Sequence, residues 1–243
     1  MIDTIVKYQA SIFVNAKDIT PSPDNITNLI NIFRDREFIP NTFNEIAPTS
    51  LEPQTRLLLT NSTNEWKILF ASSRIDIEKI AIEPKGNNMG ELSVFCADVI
   101  DFFGRILTKY NKKSNRLSLS TNFLLKEMTD VMLSNIYLKL FKPSKFYQQN
   151  SPFEWDWRSV SRVPIKELKD ELNVISNIKR IRGNLKTKTV VEPFDRIEIS
   201  LDINTIKENS EHRFELNQIK KFYEYVLKLH NDMLKELMEF IHG

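Results

Sequence analysis

From Arg196 to Ile203 apolar and polar positions alternate without a break. Ile197, Ile199, Leu201 and Ile203 fall on one side of an extended chain, and Arg196, Glu198, Ser200 and Asp202 on the other. That period of two belongs to a strand with one buried face. After a polar link at 207–213 the period changes. Ile219, Phe222, Val226, Met233, Leu237 and Ile241 recur at helical spacing, widened by Tyr223, Leu227, Leu234 and Met238. A long amphipathic helix laid across a one-faced sheet is the expected product.

The same two patterns occur upstream. Val6, Tyr8, Ala10, Ile12 and Val14 alternate in a first strand, and Pro21-Ser22-Pro23-Asp24 then starts a helix with Ile26, Leu29, Ile30 and Phe33 on its apolar side. A proline-spaced region with a short edge strand near 38–46 precedes strands at Leu57–Leu59 and Trp66–Phe70. Ile75 and Ile77 are out of phase with Ile80 and Ile82, which predicts a bulge near Glu78. Leu92, Phe95, Val99, Phe102, Ile106 and Tyr110 mark a second long helix. Leu117, Leu119 and Phe123 form a strand, and a shorter helix runs from Thr129 to Phe141. Phe153, Trp155 and Trp157 alternate with charges, and Val174, Ile175, Ile178 and Ile181 fit either a strand or a helix, with a strand preferred. The fold class is α+β: largely antiparallel sheet with two long amphipathic helices on one face. The order suggests two topologically similar halves, 1–112 and 113–243, either as two units or as one continuous domain.

Composition is that of an ordinary globular chain: 243 residues, 41% hydrophobic, 27% charged, formal net charge +2. Such a balance does not by itself imply a polyanionic partner. Five glycines and no Gly-rich loop motif disfavour a phosphate cradle, and one cysteine, Cys96, excludes an intramolecular disulfide and a cysteine-built zinc site. The N-terminal residues lack a signal-peptide pattern, and no stretch approaches the about 20 apolar residues needed to span a bilayer. The expected location is the cytoplasm, with no membrane association and no cofactor.

Candidate chemistry is sparse. His230 falls on the apolar stripe of the last helix, where a core-edge histidine competes with a general base that would need an acid brought from elsewhere. Cys96 follows the stripe residue Phe95 and reads as a structural thiol. Asp76 followed by Glu83-Pro84-Lys85 imitates the acid and acid-x-Lys of a metal-dependent nuclease, although Pro84 would interrupt the second strand. Two basic runs stand out. One contains Arg105, Lys109, Lys112, Lys113, Arg116 and Lys126, and the other Lys179, Arg180, Arg182, Lys186 and Lys188. On a common surface they would track a phosphate backbone; dispersed, they are solvated charges balanced by other segments. Gly183-Asn184 suits a hairpin tip. Trp155, Trp157 and Arg158 are either an interface hot spot or, for the tryptophans, one buried face of a strand.

The ending Ile197-Glu198-Ile199-Ser200-Leu201-Asp202-Ile203, a polar gap, and then Tyr225 to Ile241 with Leu229-His230-Asn231 resembles a family of uncharacterised bacterial proteins. These are sporadically distributed and end in a strand bearing an Asp, then a helix carrying Leu-His. The resemblance covers about a fifth of the chain. It implies an α+β fold and an accessory role, as a gene scattered like mobile-element or host-defence genes would have; it assigns no active site. The leading expectation is a non-enzymatic bacterial protein acting through protein–protein contacts as an accessory, immunity or phage-defence subunit, with a protein partner or as a homo-oligomer. The alternatives are a nucleic-acid-binding protein using 105–126 and 179–188, and a metal-dependent nuclease or hydrolase.

Overall fold

The computed structural model describes residues 1–46, 52–186 and 191–242, with the backbone alone at 84, 184–186 and 191–192. In chain order the elements are β1 (Ile2–Phe13), α1 (Pro23–Ile32), β2 (Ile39–Glu45), β3 (Gln54–Thr60), β4 (Trp66–Ala71), β5 (Arg74–Ile80) and α2 (Leu92–Tyr110). There follow β6 (Arg116–Leu125), α3 (Asp130–Phe141), α4 (Lys145–Gln149), β7 (Trp155–Ile165), β8 (Asp170–Lys186), β9 (Val191–Thr205) and α5 (Leu216–His242). Local chemistry fixes the helix starts. Ser22 caps α1, accepting from the Asn25 backbone N–H at 3.3 Å with Pro23 at the first helical position, and Thr129 caps α3 through the Met132 N–H.

All nine strands form one antiparallel sheet in the order β2-β3-β4-β5-β1-β6-β9-β8-β7. Each half repeats one path. In the first, β1 leads to α1, and β2 to β5 meander back until β5 lies beside β1. In the second, β6 leads to α3 and α4, and β7 to β9 meander back until β9 lies beside β6. The second half has one strand fewer. A long helix, α2 or α5, closes each. The two opening strands pair with each other, from Phe13↔Arg116 to Ile2↔Leu125, so the sheet runs unbroken across residue 112. One buried cluster draws Tyr8, Ile77, Phe95 and Phe102 from the first half and Leu119, Ile203, Phe222 and Val226 from the second. The halves therefore share a core.

Alternation makes the sheet two-sided. Tyr8, Ala10 and Ile12 of β1, Leu117, Leu119 and Phe123 of β6, and Ile197, Ile199, Leu201 and Ile203 of β9 face the helices and are buried. α2 answers with Phe95, Val99, Phe102 and Ile106, and α5 with Ile219, Phe222, Tyr223 and Val226. Around Phe102, Phe33 and Phe38 pack edge-on with centroids at 5.5 and 5.7 Å, and Trp66 at 5.5 Å.

Two details differ from the sequence pattern. The irregularity lies in β1, between Ile2 and Thr4 and between Ile5 and Lys7, whereas β5 pairs without interruption from Arg74 to Ile80. Ile80 thus faces away from the helices opposite Lys7, and Ile82 lies beyond the strand end. Beside this part of β1, Gly86, at φ 68°, comes so close that a Cβ would stand 2.2 Å from the Ile5 carbonyl oxygen. Gly183 and Asn184 are not a hairpin tip either. They pair with Phe194 and Pro193 inside the β8–β9 ladder, which continues to Lys186↔Val191.

Replacing Phe102 by Ala removes the centre of the aromatic cluster and is expected to cost about 3–5 kcal/mol in chemical denaturation. Phe153→Ala, at a side chain 65% exposed, should stay within about 0.5 kcal/mol of the parent.

Candidate protein-contact surface

The face of the sheet turned away from the helices carries a largely paired polar lattice, in which Asn177 Oδ1 and Arg196 Nε are buried without a hydrogen-bond partner among the described residues. One row crosses it as Leu69, Asp76, Ser11, Ser118, Asn204, Asn173 and Arg162. Ser11 Oγ donates to Asp76 Oδ1 at 2.6 Å and Ser118 Oγ to Asp202 Oδ1 at 3.0 Å. Arg74 lies 2.9 Å from Asp76, Lys7 3.4 Å from Glu78, Lys179 3.1 Å from Glu198 and Arg196 2.6 Å from Asp3. Arg116 rests over the Phe13 ring and donates to Asn204 Oδ1 at 2.7 Å and to the Thr205 carbonyl. Cations here alternate with carboxylates, so the face offers no net positive track to a phosphate backbone.

The two basic runs do not meet on one surface of free cations. Arg105 lies between Asp35 and Asp101, Lys112 is 2.8 Å from Asp18, and Lys113 pairs with Glu215. Arg180 is the clearest departure from the nucleic-acid reading. It is 5% exposed, faces the helix layer, and donates to both oxygens of Asp195 at 2.8 and 2.7 Å and to Asp130 Oδ1 at 2.8 Å. These bonds raise its pKa and hold the Asp195 carboxyl below its usual range. Arg180 ties β8, β9 and the first turn of α3 together and is unavailable to a ligand. Arg182 sits 2.9 Å from Asp195 and over Phe153. The Lys186 side chain and the whole of Lys188 lie outside the described residues.

The nuclease-like pattern is not assembled on paired strands. Asp76 is 4% exposed on β5, and burial raises its pKa despite the bonds from Ser11 and Arg74. Glu83 precedes a tight turn at Pro84–Gly86, beyond the end of β5, and Lys85 approaches Asp3 at 3.8 Å. Among the described residues no cluster of three or more His, Cys, Asp or Glu side chains could hold a metal ion.

His230 is inside the core. Its Nδ1 is 3.3 Å from Asn231 Oδ1 and its Nε2 is 2.8 Å from Thr121 Oγ1. With both nitrogens engaged and no carboxylate in contact among the described residues, it holds α5 to β6. Cys96 is buried, which pushes its thiol up to about 12.

The tryptophan tract divides. Trp155 is buried against Tyr137 and Phe141 of α3, Trp157 is half-buried, and Arg158 is exposed. Phe153 does not share their face: it precedes the strand and is open to solvent. Periodicity did not single it out as exposed, nor the other apolar side chains of this stretch that stand in solvent. α3 is apolar on more than one side, burying Leu133, Ile136 and Tyr137 while exposing Val131, Met132 and Leu138. Next to it α4 exposes Phe146, at 64%, and Tyr147. A groove of about 550 Å³ between α3 and the end of α5 is lined by Met128, Met132, Ile136, Leu138 and Ile241, with Lys139 on its rim. The sequence signal was present in Val131 and Leu138, seven residues apart and off the buried stripe.

Arg180→Met should cost about 2–4 kcal/mol in denaturant unfolding, because it leaves Asp195 with Arg182 alone and frees Asp130 from the sheet, whereas Lys179→Met should cost less than about 1 kcal/mol. Burial lowers the pKa of His230 below its ordinary 6.5. The unfolded chain therefore takes up the proton first as pH falls. Stability is full above the unfolded value and should decline as pH drops below it, a dependence that His230→Gln flattens in melts recorded across that window; His242, also lowered, contributes the remainder. No helix among the described residues is long and apolar enough to cross a membrane. No protein-family model matches the chain, and no curated protein matches it either.

Proposed function

We propose that this chain is a non-enzymatic bacterial protein that works through protein–protein contacts in the cytoplasm, as an accessory subunit of the immunity or phage-defence kind. The observation that carries this reading is the set of exposed apolar side chains on α3, α4 and at Phe153, where Val131, Leu138, Phe146 and Phe153 stand in solvent beside an otherwise well-packed sheet. Contiguous exposed apolar side chains mark contact sites, and aromatic residues dominate their energetics. The polar face of the sheet, by contrast, satisfies its own charges, and the titratable groups of the core are spent on packing. A reduced compartment suits a single buried thiol.

Parallel affinity purification of the parent and of a Phe146→Glu/Phe153→Glu variant from the native host tests this. The parent should retain a protein in fixed ratio, and the variant should lose at least about tenfold of it while melting within about 2 °C of the parent. Equal retention by both, or nucleic acid eluted from the parent by salt, would overturn the proposal.

A further inference from the structure

We infer that a second copy of this chain pairs along strand β7, antiparallel and centred on Ser159, so that the two sheets become one. This rests on the protein-contact reading above and names one of the contacts. β7 is an outer strand of the sheet, eleven residues long, and one of its backbone edges has no neighbouring strand among the described residues. Such an edge presents a row of unpaired donors and acceptors that another strand can complete. The opposite edge, β2, is shorter and carries Pro40 within its ladder, which removes a donor. β7 has no proline from Trp155 to Val163; Pro164 falls outside that stretch.

The side chains select the register. Residues directly opposite in an antiparallel pair share a face. Pairing about Ser159 sets Asp156 against Arg162 of the second copy, twice by symmetry, and Arg158 against Val160. On the helix side it sets Trp157 against Ser161 and Trp155 against Val163. A shift of the centre to Arg158 puts that arginine against itself, and a shift to Val160 puts Arg158 against Arg162. A shift to Trp157 also opposes Asp156 to Arg158, but pairs only 155–159 of the strand, against 155–163 about Ser159. Asp156 is exposed and has no cationic partner within its own chain among the described residues, whereas Arg162 lies 2.7 Å from Glu208 and 3.7 Å from Glu171. A two-fold axis normal to the sheet keeps both helix layers on one side.

Sedimentation velocity of the purified full chain from about 1 to about 100 µM should show a species of twice 28.5 kDa. Asp156→Lys, which opposes like charges at both ends of the ladder, should weaken the dimer at least about tenfold, and Asp156→Lys/Arg162→Asp should restore it. Ser159→Cys should give a covalent dimer with copper phenanthroline, since opposed Cα atoms about 4.5–5.5 Å apart suit a disulfide; buried Cys96 is silent in the parent. A monomer throughout the range overturns the inference, as does a dimer indifferent to Asp156→Lys that leaves Ser159→Cys unlinked. Exchange protection of β7 amides gained only beside a different protein would give that edge to a heterologous strand and also overturn it. Loss of the Phe146- and Phe153-dependent partner leaves this pairing standing, because it is read on the purified chain alone.

Discussion

The antiparallel pairing of β1 with β6 is the contact on which the rest of the molecule depends. It joins residues more than a hundred positions apart and places the opening strand of each half at the centre of one sheet. Because both strands bury Ala10, Ile12, Leu117 and Leu119 toward the same side, both long helices are drawn to that side. The other face is left to water. Its carboxylates, hydroxyls and cations must then satisfy one another or the solvent, and the Ser11–Asp76 and Ser118–Asp202 bonds show them doing so.

Much of this architecture was legible in periodicity. The strict alternation at 196–203 and the helical stripe at 219–241 became β9 and α5, because a period of two or of 3.6 leaves few other ways to bury the same residues. The α+β class and the one-sided helix layer follow from the same logic. The alternation at 153–158 and the apolar residues of 174–181, which fit a strand or a helix, showed only parts of two strands. These run from Trp155 to Ile165 and from Asp170 to Lys186. What alternation could not show was where the sheet bends. The phase break at Ile80 looked like a bulge in β5, yet the register of β5 is regular and the distortion sits in β1 beside Gly86. A long-range approach of two backbones, such as this one, leaves no mark on local pattern.

The basic runs teach the same lesson for charge. Lys179, Arg180 and Arg182 lie close together in sequence, but strand alternation sends Arg180 and Arg182 to the helix side and Lys179 the other way. Their acids come from outside β8: Asp195 and Asp130 for Arg180, Glu198 for Lys179, and Asp195 again for Arg182. Composition hinted at this balance, since the net charge is only +2, but which cation meets which carboxylate is tertiary information. The apolar surface of α3 and α4 was missed for a related reason. A helix apolar on two sides reads as well buried, and only the packing shows that one side has been left open.

Photo-crosslinking in cells would separate the two faces most directly, with a benzophenone amino acid placed at Phe146 in one variant and at Ser120, on the polar face of β6, in another. Protein adducts at Phe146 and none at Ser120 are the expected result. Adducts concentrated at Ser120, or nucleic acid attached there, would contradict a contact role for α3 and α4 and return attention to the polar face of the sheet.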